Sequence, residues 1–181
     1  MKARHWSWVG LAFVMVLNLW LRAHTFGPTI KAHLGVDLWL VSGAEAEPID
    51  CDEAVYVYVG RRLLRGDVLY RDLSEPKPPG GYWLYSLGVA LGGDTELMVR
   101  LLPIPLVLAT IAMVWWVAGR LAGPFAAVLA ALTYAVASTD PYLYGNGSNL
   151  EHAMNLGTVG ALGALLERIA GFKEARLQRA I

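Results

Sequence analysis

The sequence holds a single cysteine, Cys51, among 181 residues. One thiol closes no internal disulfide, so neither a disulfide framework nor a redox compartment follows from it. Excess charge is missing as well: 15 Lys and Arg balance 15 Asp and Glu, and the net charge is zero. That balance gives no electrostatic reason to expect nucleic acid as a partner. Metal-ligand spacing is scarce, because His152 beside Glu151 is one histidine beside one acid and makes a weak ligand set. Gly157, Gly160 and Gly163 resemble a nucleotide loop only in spacing. No strand precedes them and they lie in an apolar stretch, so close helix packing is the reading they support.

What the chain has in quantity is apolar surface. Hydrophobic residues make up 56% of it and the mean hydropathy is +0.43. Seven Trp and eight Tyr are present, many near the ends of apolar runs. That placement suits a membrane interface, where an amphipathic ring is half wet and half buried. A soluble domain of this length could bury a core, but the apolar runs favour the bilayer.

Residues 6–21 contain no charge and follow Lys2 and Arg4. They predict a first membrane span, with Arg22 snorkelling at its end and Trp6, Trp8 and Trp20 at the interfaces. A cleaved signal peptide is the alternative, but the small-residue triplet Ala44-Glu45-Ala46 lies far past the apolar run. Residues 22–96 then form a long polar segment with seven Lys/Arg and eleven Asp/Glu. Its prolines exclude one continuous helix, but two short ones can be read in it. The first covers about 51–65, opened by a capping box of Asp50 and Glu53 and closed by Gly66. An alternating Val55, Val57, Val59 pattern leaves a strand reading open there. Arg61, Arg62 and Arg65 give this helix a cationic side suited to an anionic membrane surface or a phosphate. The second covers about 78–91, with proline at its start and Gly92-Gly93 at its stop. At about 21 Å it is short of a bilayer core and should lie along or dip into the interface.

Residues 97–119 give the clearest span, and a tight turn at 121–124 leads into a third at 125–138. A polar loop, 140–149, precedes a fourth at about 150–166, and residues 167–181 form a basic tail. The short loops on the side of Lys2, Arg4, Arg120 and the tail hold seven Lys/Arg, whereas 140–149 holds none. Short loops rich in Lys and Arg stay cytoplasmic, so segments 22–96 and 140–149 should face outward together. Within 140–149, Asn146-Gly147-Ser148 fits an N-glycosylation triplet, a short pattern.

Four side chains in these outward segments carry candidate chemistry. Asp52 and Glu53 sit at a helix start, where the dipole and free N–H groups keep a carboxylate ionised. Such a carboxylate can take a proton from an attacking hydroxyl or amine, or both acids can merely cap the helix. Lys77, in Glu75-Pro76-Lys77-Pro78-Pro79, is an ammonium on a stiff backbone. It can neutralise a phosphate leaving group or simply snorkel to lipid head groups. Glu151 opens the fourth span on the same side, as a solvated cap or as part of a site.

The order Asp52-Glu53, Tyr56, Leu63-Leu64, Gly66, Tyr70, Asp72, Lys77-Pro78-Pro79, Tyr82 resembles the first outer loop of the GT-C superfamily. These are multi-spanning glycosyltransferases that use lipid-linked sugars, among them protein mannosyltransferase-like and aminoarabinose transferase-like enzymes. Arg100-Leu101-Leu102-Pro103 and the acid opening the fourth span, Glu151, extend the resemblance to about residue 166.

The resemblance implies an all-α integral membrane fold with about four transmembrane helices and a long outer loop bearing two short interfacial helices. It implies inverting transfer of a sugar from a polyprenyl phosphate to a lipid, glycan or protein acceptor on the outer face of the plasma or inner membrane. Asp52 would be the base, Lys77 the phosphate contact, and Glu53 and Glu151 substrate-binding acids. In some branches the last of these helps hold a divalent cation, although relatives often have aspartate there. Family members have more spans, so the resemblance also implies the front portion of a longer enzyme. The competing reading is a four-span membrane protein, or inactive remnant, that binds lipid head groups or a partner through its outer loop.

Overall fold

The computed structural model describes residues 2–36, 49–140, 143 and 147–178. The Ala44-Glu45-Ala46 triplet, Asn146 and the side chains of Lys173, Arg176 and Arg179 lie outside the described residues. Six helices follow in order: α1 (Lys2–Leu34), α2 (Cys51–Leu64), α3 (Pro79–Gly92), α4 (Glu96–Leu101), α5 (Pro103–Ala137) and α6 (Glu151–Gln178). Among the described residues no strand forms, so the helical reading of 51–65 holds over the alternating one.

The first helix is longer than its charge-free run. Arg22 does not end α1: its guanidinium is buried and donates to the carbonyl of Ser138, while Asn18 Nδ2 donates to Ala135 O at 2.8 Å. A charge that meets a carbonyl inside the fold need not mark a water boundary. Beyond it, the buried Thr29 hydroxyl donates to Glu96 at 3.3 Å, fastening the extension of α1 beside α4.

Along α1 the faces are inverted relative to a soluble helix. Ser7, Leu11, Val14, Asn18 and Arg22 are buried, whereas Trp6, Val9, Phe13, Val16 and Trp20 stand exposed. Both sets recur at three- and four-residue spacing, so each forms one stripe. Polar groups turned inward and large apolar ones turned outward suit a lipid solvent, where orphan polar groups are costly.

Helix α5 folds back on itself. Gly123 has φ +86°, a left-handed conformation that releases the helix, and Pro124 restarts it. The two limbs lie side by side, since a Cβ on Gly119 would meet Ala127 at 3.3 Å. α1 runs against the first limb, with Trp115 Nε1 donating to Ser7 at 2.8 Å. It runs along the second limb, where Gly10 meets Val128 and Asn18 meets Ala135. Leu11, Val14, Val107, Ile111, Ala131 and Ala135 form the shared core.

Two described helical stretches are long and apolar enough to cross a membrane: His5–Ala23 and Glu96–Ala137, the latter containing the reversal at Gly123. α6 is not one of them, its first turns being diluted by His152, Asn155 and Thr158. Only one of its three spaced glycines makes a close approach. Gly163 packs against Trp116 and Val117, whereas no described atom lies within 4 Å of a Cβ on Gly157 or Gly160.

α2 and α3 form a separate layer over one end of these helices. Asp50 and Glu53 complete the capping box of α2, and Gly66 follows its last turn with φ +97°. Tyr56, Val59, Tyr82, Tyr85, Leu73 and Leu150 make the second core. The two helices of this layer meet at Gly60, where a Cβ would lie 2.9 Å from the backbone of Tyr85 and Ser86. Gly60→Ala should therefore force the helices apart and cost about 1–3 kcal/mol. Gly80→Ala, with nothing within 4 Å, should cost far less. Thermal unfolding of the two variants in detergent checks this, and equal losses would contradict it.

Candidate functional site

The site begins at the first turn of α2. The capping box turns two adjacent acids in different directions, because successive helical residues stand about 100° apart. Glu53 points into the protein and is buried. Its carboxylate accepts from Asp50 N at 3.0 Å and from Ser148 N, and stands 3.8 Å from the buried guanidinium of Arg100. Glu53 thus ties α2, α4 and the segment before α6 together. The candidate substrate contact is a buried anchor here, with both oxygens engaged by protein groups. Tyr85 strengthens the same junction by donating to Ser148 O, and burial pushes its phenol above the usual range.

Asp52 points the other way and half of its side chain is exposed. Lys77 Nζ lies 3.0 Å from its Oδ2, and the Tyr56 hydroxyl donates to the same oxygen at 3.2 Å. Lys77 also donates to the Tyr56 hydroxyl and stands 4.7 Å from the centre of its ring. The hydrogen bond from Lys77 holds the Asp52 carboxyl below its ordinary range. Bonding to Tyr56 and Asp52 pushes the Lys77 ammonium up in turn.

Lys77 is held from behind as well as from the front. It lies between Pro76 and Pro78, directly before α3. The Tyr70 hydroxyl donates to its carbonyl at 2.7 Å. Tyr70 itself has φ +69°, a left-handed backbone unusual for a bulky side chain. A turn closed by Tyr70 N on Leu73 O supports that conformation, and Asp72 accepts from Val68 N at 2.8 Å.

Asp52 and Glu151 line one cavity of about 590 Å³, together with Tyr134, Ser138, Asn149 and Asn155. The structure therefore brings Asp52 against Lys77 and sets Asp52 and Glu151 around the same space. Glu53 is the candidate that faces elsewhere. Arg61 and Arg62 do not form a free cationic side on α2: Arg61 pairs with Asp94 at 2.7 Å and Arg62 with Asp67.

Tyr56 and Arg100 were visible in the sequence only as motif members, with no role attached. The signals were there: Tyr56 follows Asp52 by one helical turn, and Arg100 is a lone charge at the start of an apolar run. Among the described residues no group of three His, Cys, Asp or Glu is placed to hold a metal ion. Asp50, Asp52 and Glu151 line the cavity without forming such a group.

The cavity lies at one end of the apolar helices and the basic contact Arg120–Glu167, at 2.7 Å, lies at the other. α6 reaches from one level to the other, since Glu151 lines the cavity and Gly163 touches Trp116.

Residues 76–166, half of the chain, match the family model described as dolichyl-phosphate-mannose-protein mannosyltransferase. The matched segment contains Lys77, Arg100 and Glu151, and Asp52 precedes it. No curated protein and no solved structure matches the chain. With the inverted α1, the reversed α5 and this match, the chain belongs to the dolichyl-phosphate-mannose-protein mannosyltransferase family, a family of membrane glycosyltransferases of the GT-C type.

Proposed function

We propose that the protein transfers a sugar, with inversion, from a polyprenyl phosphate to an acceptor at the outer face of the plasma or inner membrane. The observation that carries this is the Asp52–Lys77 contact of 3.0 Å beside a cavity shared with Glu151. In this reading the helices cross the bilayer four times, α6 included, with the N-terminus cytoplasmic. α2 and α3 lie at the outer interface.

The chemistry balances with protein groups alone. The acceptor oxygen or nitrogen attacks the anomeric carbon and its proton passes to Asp52. The bond from that carbon to the phosphate oxygen breaks, and polyprenyl phosphate departs with its charge matched by Lys77. Glu151, across the cavity, accepts a hydrogen bond from the acceptor and orients it. Glu53 keeps the first turn of α2 in place.

The resting Lys77–Asp52 pair bears on the order of events. A carboxylate held low by a cation is ionised but a weak base. A donor phosphate competes for Lys77, and drawing the ammonium away restores basicity to Asp52 once the donor is seated. Lys77→Gln in the full-length protein should lower kcat/KM for a polyprenyl-phosphate sugar by roughly tenfold to a hundredfold, the size of a lost charge-assisted bond. Polyprenyl phosphate released in proteoliposomes is the readout. Undiminished donor use by the variant would remove Lys77 from the phosphate site.

A further inference from the structure

Asp52 and Lys77 are both partly exposed, with side chains about 52% and 37% accessible, whereas Tyr56 between them is 2% accessible. The Tyr56 ring is wedged against Tyr85 and Tyr82, with ring centres 5.2 and 6.1 Å away, and packs with Val59 and Leu73. It is the fixed member of the triad, and the two charged side chains hang on its hydroxyl. Neither neighbouring tyrosine can replace it. The Tyr82 hydroxyl is committed to Glu75 at 3.0 Å and that of Tyr85 to Ser148 O.

We infer that Tyr56 is the positioning residue of the base: its hydroxyl holds the Asp52 carboxylate in the attacking geometry when Lys77 moves to the donor phosphate. The inference rests on the reading of Asp52 as base. Once Lys77 leaves, the described donor remaining on Asp52 Oδ2 is Tyr56, one helical turn along the same face. The start of α2 also favours an anion there, but its dipole does not fix the direction of the carboxylate. Glu151 and His152 of α6 and Tyr134 of α5 line the cavity that Asp52 faces, with Cys51 and the capping Asp50 beside it at the start of α2. Two of these are further acids, which repel the Asp52 charge. A hydroxyl that donates to the charged form keeps Asp52 both oriented and ionised. It also leaves the second carboxylate oxygen open to receive the acceptor proton.

The test uses the full-length enzyme in proteoliposomes with a polyprenyl-phosphate sugar. Tyr56→Phe keeps the ring and its packing while removing the hydroxyl. It should lower kcat roughly tenfold to a hundredfold, leave KM for the donor nearly unchanged, and move the acid limb of the kcat/KM profile to higher pH. Fluorotyrosine at Tyr56, a stronger donor of the same shape, should move that limb to lower pH. A role in packing alone shifts neither limb. Wild-type kcat and an unmoved limb in Tyr56→Phe, or limbs moving the same way in both proteins, would overturn the inference. Asp52→Asn separates the two levels. If it stays active the base assignment fails, whereas a silent Asp52→Asn with a normal Tyr56→Phe removes only the positioning role.

Discussion

Asp52→Asn in the full-length protein is expected to lower sugar transfer by about a hundredfold to ten-thousandfold, the range lost with a general base. Asparagine has the size of aspartate and can still accept from Tyr56, so the helix start should survive. Asp50 provides the cap and Glu53 the reciprocal bond, both without Asp52. Membrane insertion and thermal stability should therefore stay close to wild type, with Lys77 losing an ionic partner at a half-exposed site. The checking measurement is single-turnover transfer beside an unfolding curve in the same detergent. Turnover equal to wild type would remove Asp52 as the base, whereas loss of both activity and insertion would assign it to the scaffold.

Its neighbour should behave in the opposite way. Glu53→Ala is expected to lower stability by about 3–5 kcal/mol, because it takes from the buried Arg100 its buried carboxylate partner and leaves it the partly exposed Glu96 at 3.9 Å. The same change removes the acceptor for Ser148 N and for the Asp50 backbone. The double variant Glu53→Leu with Arg100→Met removes both charges at once and should recover part of the loss, since replacing a whole buried pair with apolar groups is often tolerated. Thermal unfolding of the two proteins in detergent decides it. A double variant less stable than Glu53→Ala would show that the ionic contact is not what the junction rests on. Between them, Asp52→Asn and Glu53→Ala separate chemistry from architecture at adjacent positions.

Much of the local architecture was legible in the residues. The capping box at Asp50 and Glu53, Gly66, Pro79 and the Gly92-Gly93 pair carry their own backbone preferences, so α2 and α3 begin and end within a residue or two of their sequence-based limits. The turn at Gly123-Pro124 was equally plain, because a left-handed glycine before a proline reverses a helix wherever it sits. Other features depended on partners far along the chain. Arg22 reads as a snorkelling charge at the end of a span; the candidate span does end at Ala23, but the guanidinium turns inward to the carbonyl of Ser138, more than a hundred residues away. Arg61 and Arg62 read as a cationic face until Asp94 and Asp67 take them. The evenly spaced glycines of α6 read as a packing stripe, but among the described residues only Gly163 meets a neighbour.

The candidate site divides in the same way. Its residue types and their order were visible, including the stiff Pro-Lys-Pro-Pro step that presents Lys77. Which of two adjacent acids faces outward was not, because helical periodicity places them on different sides without saying which side is covered. Ser148 and Arg100 cover the side of Glu53, and that choice leaves Asp52 to the cavity. Tyr56 escaped notice as a participant because a tyrosine in an apolar helix reads as core, which it also is.

Everything proposed for catalysis requires the first turn of α2 to be open to the outer side of the membrane. Cys51, exposed and directly before Asp52, reports that side without adding a residue. Treating right-side-out membrane vesicles with a membrane-impermeant maleimide, with Cys51→Ser as the blank, should label Cys51 without opening the inner compartment. Labelling that appears only after the vesicles are permeabilised would put Asp52, Lys77 and Glu151 on the cytoplasmic side and contradict the account.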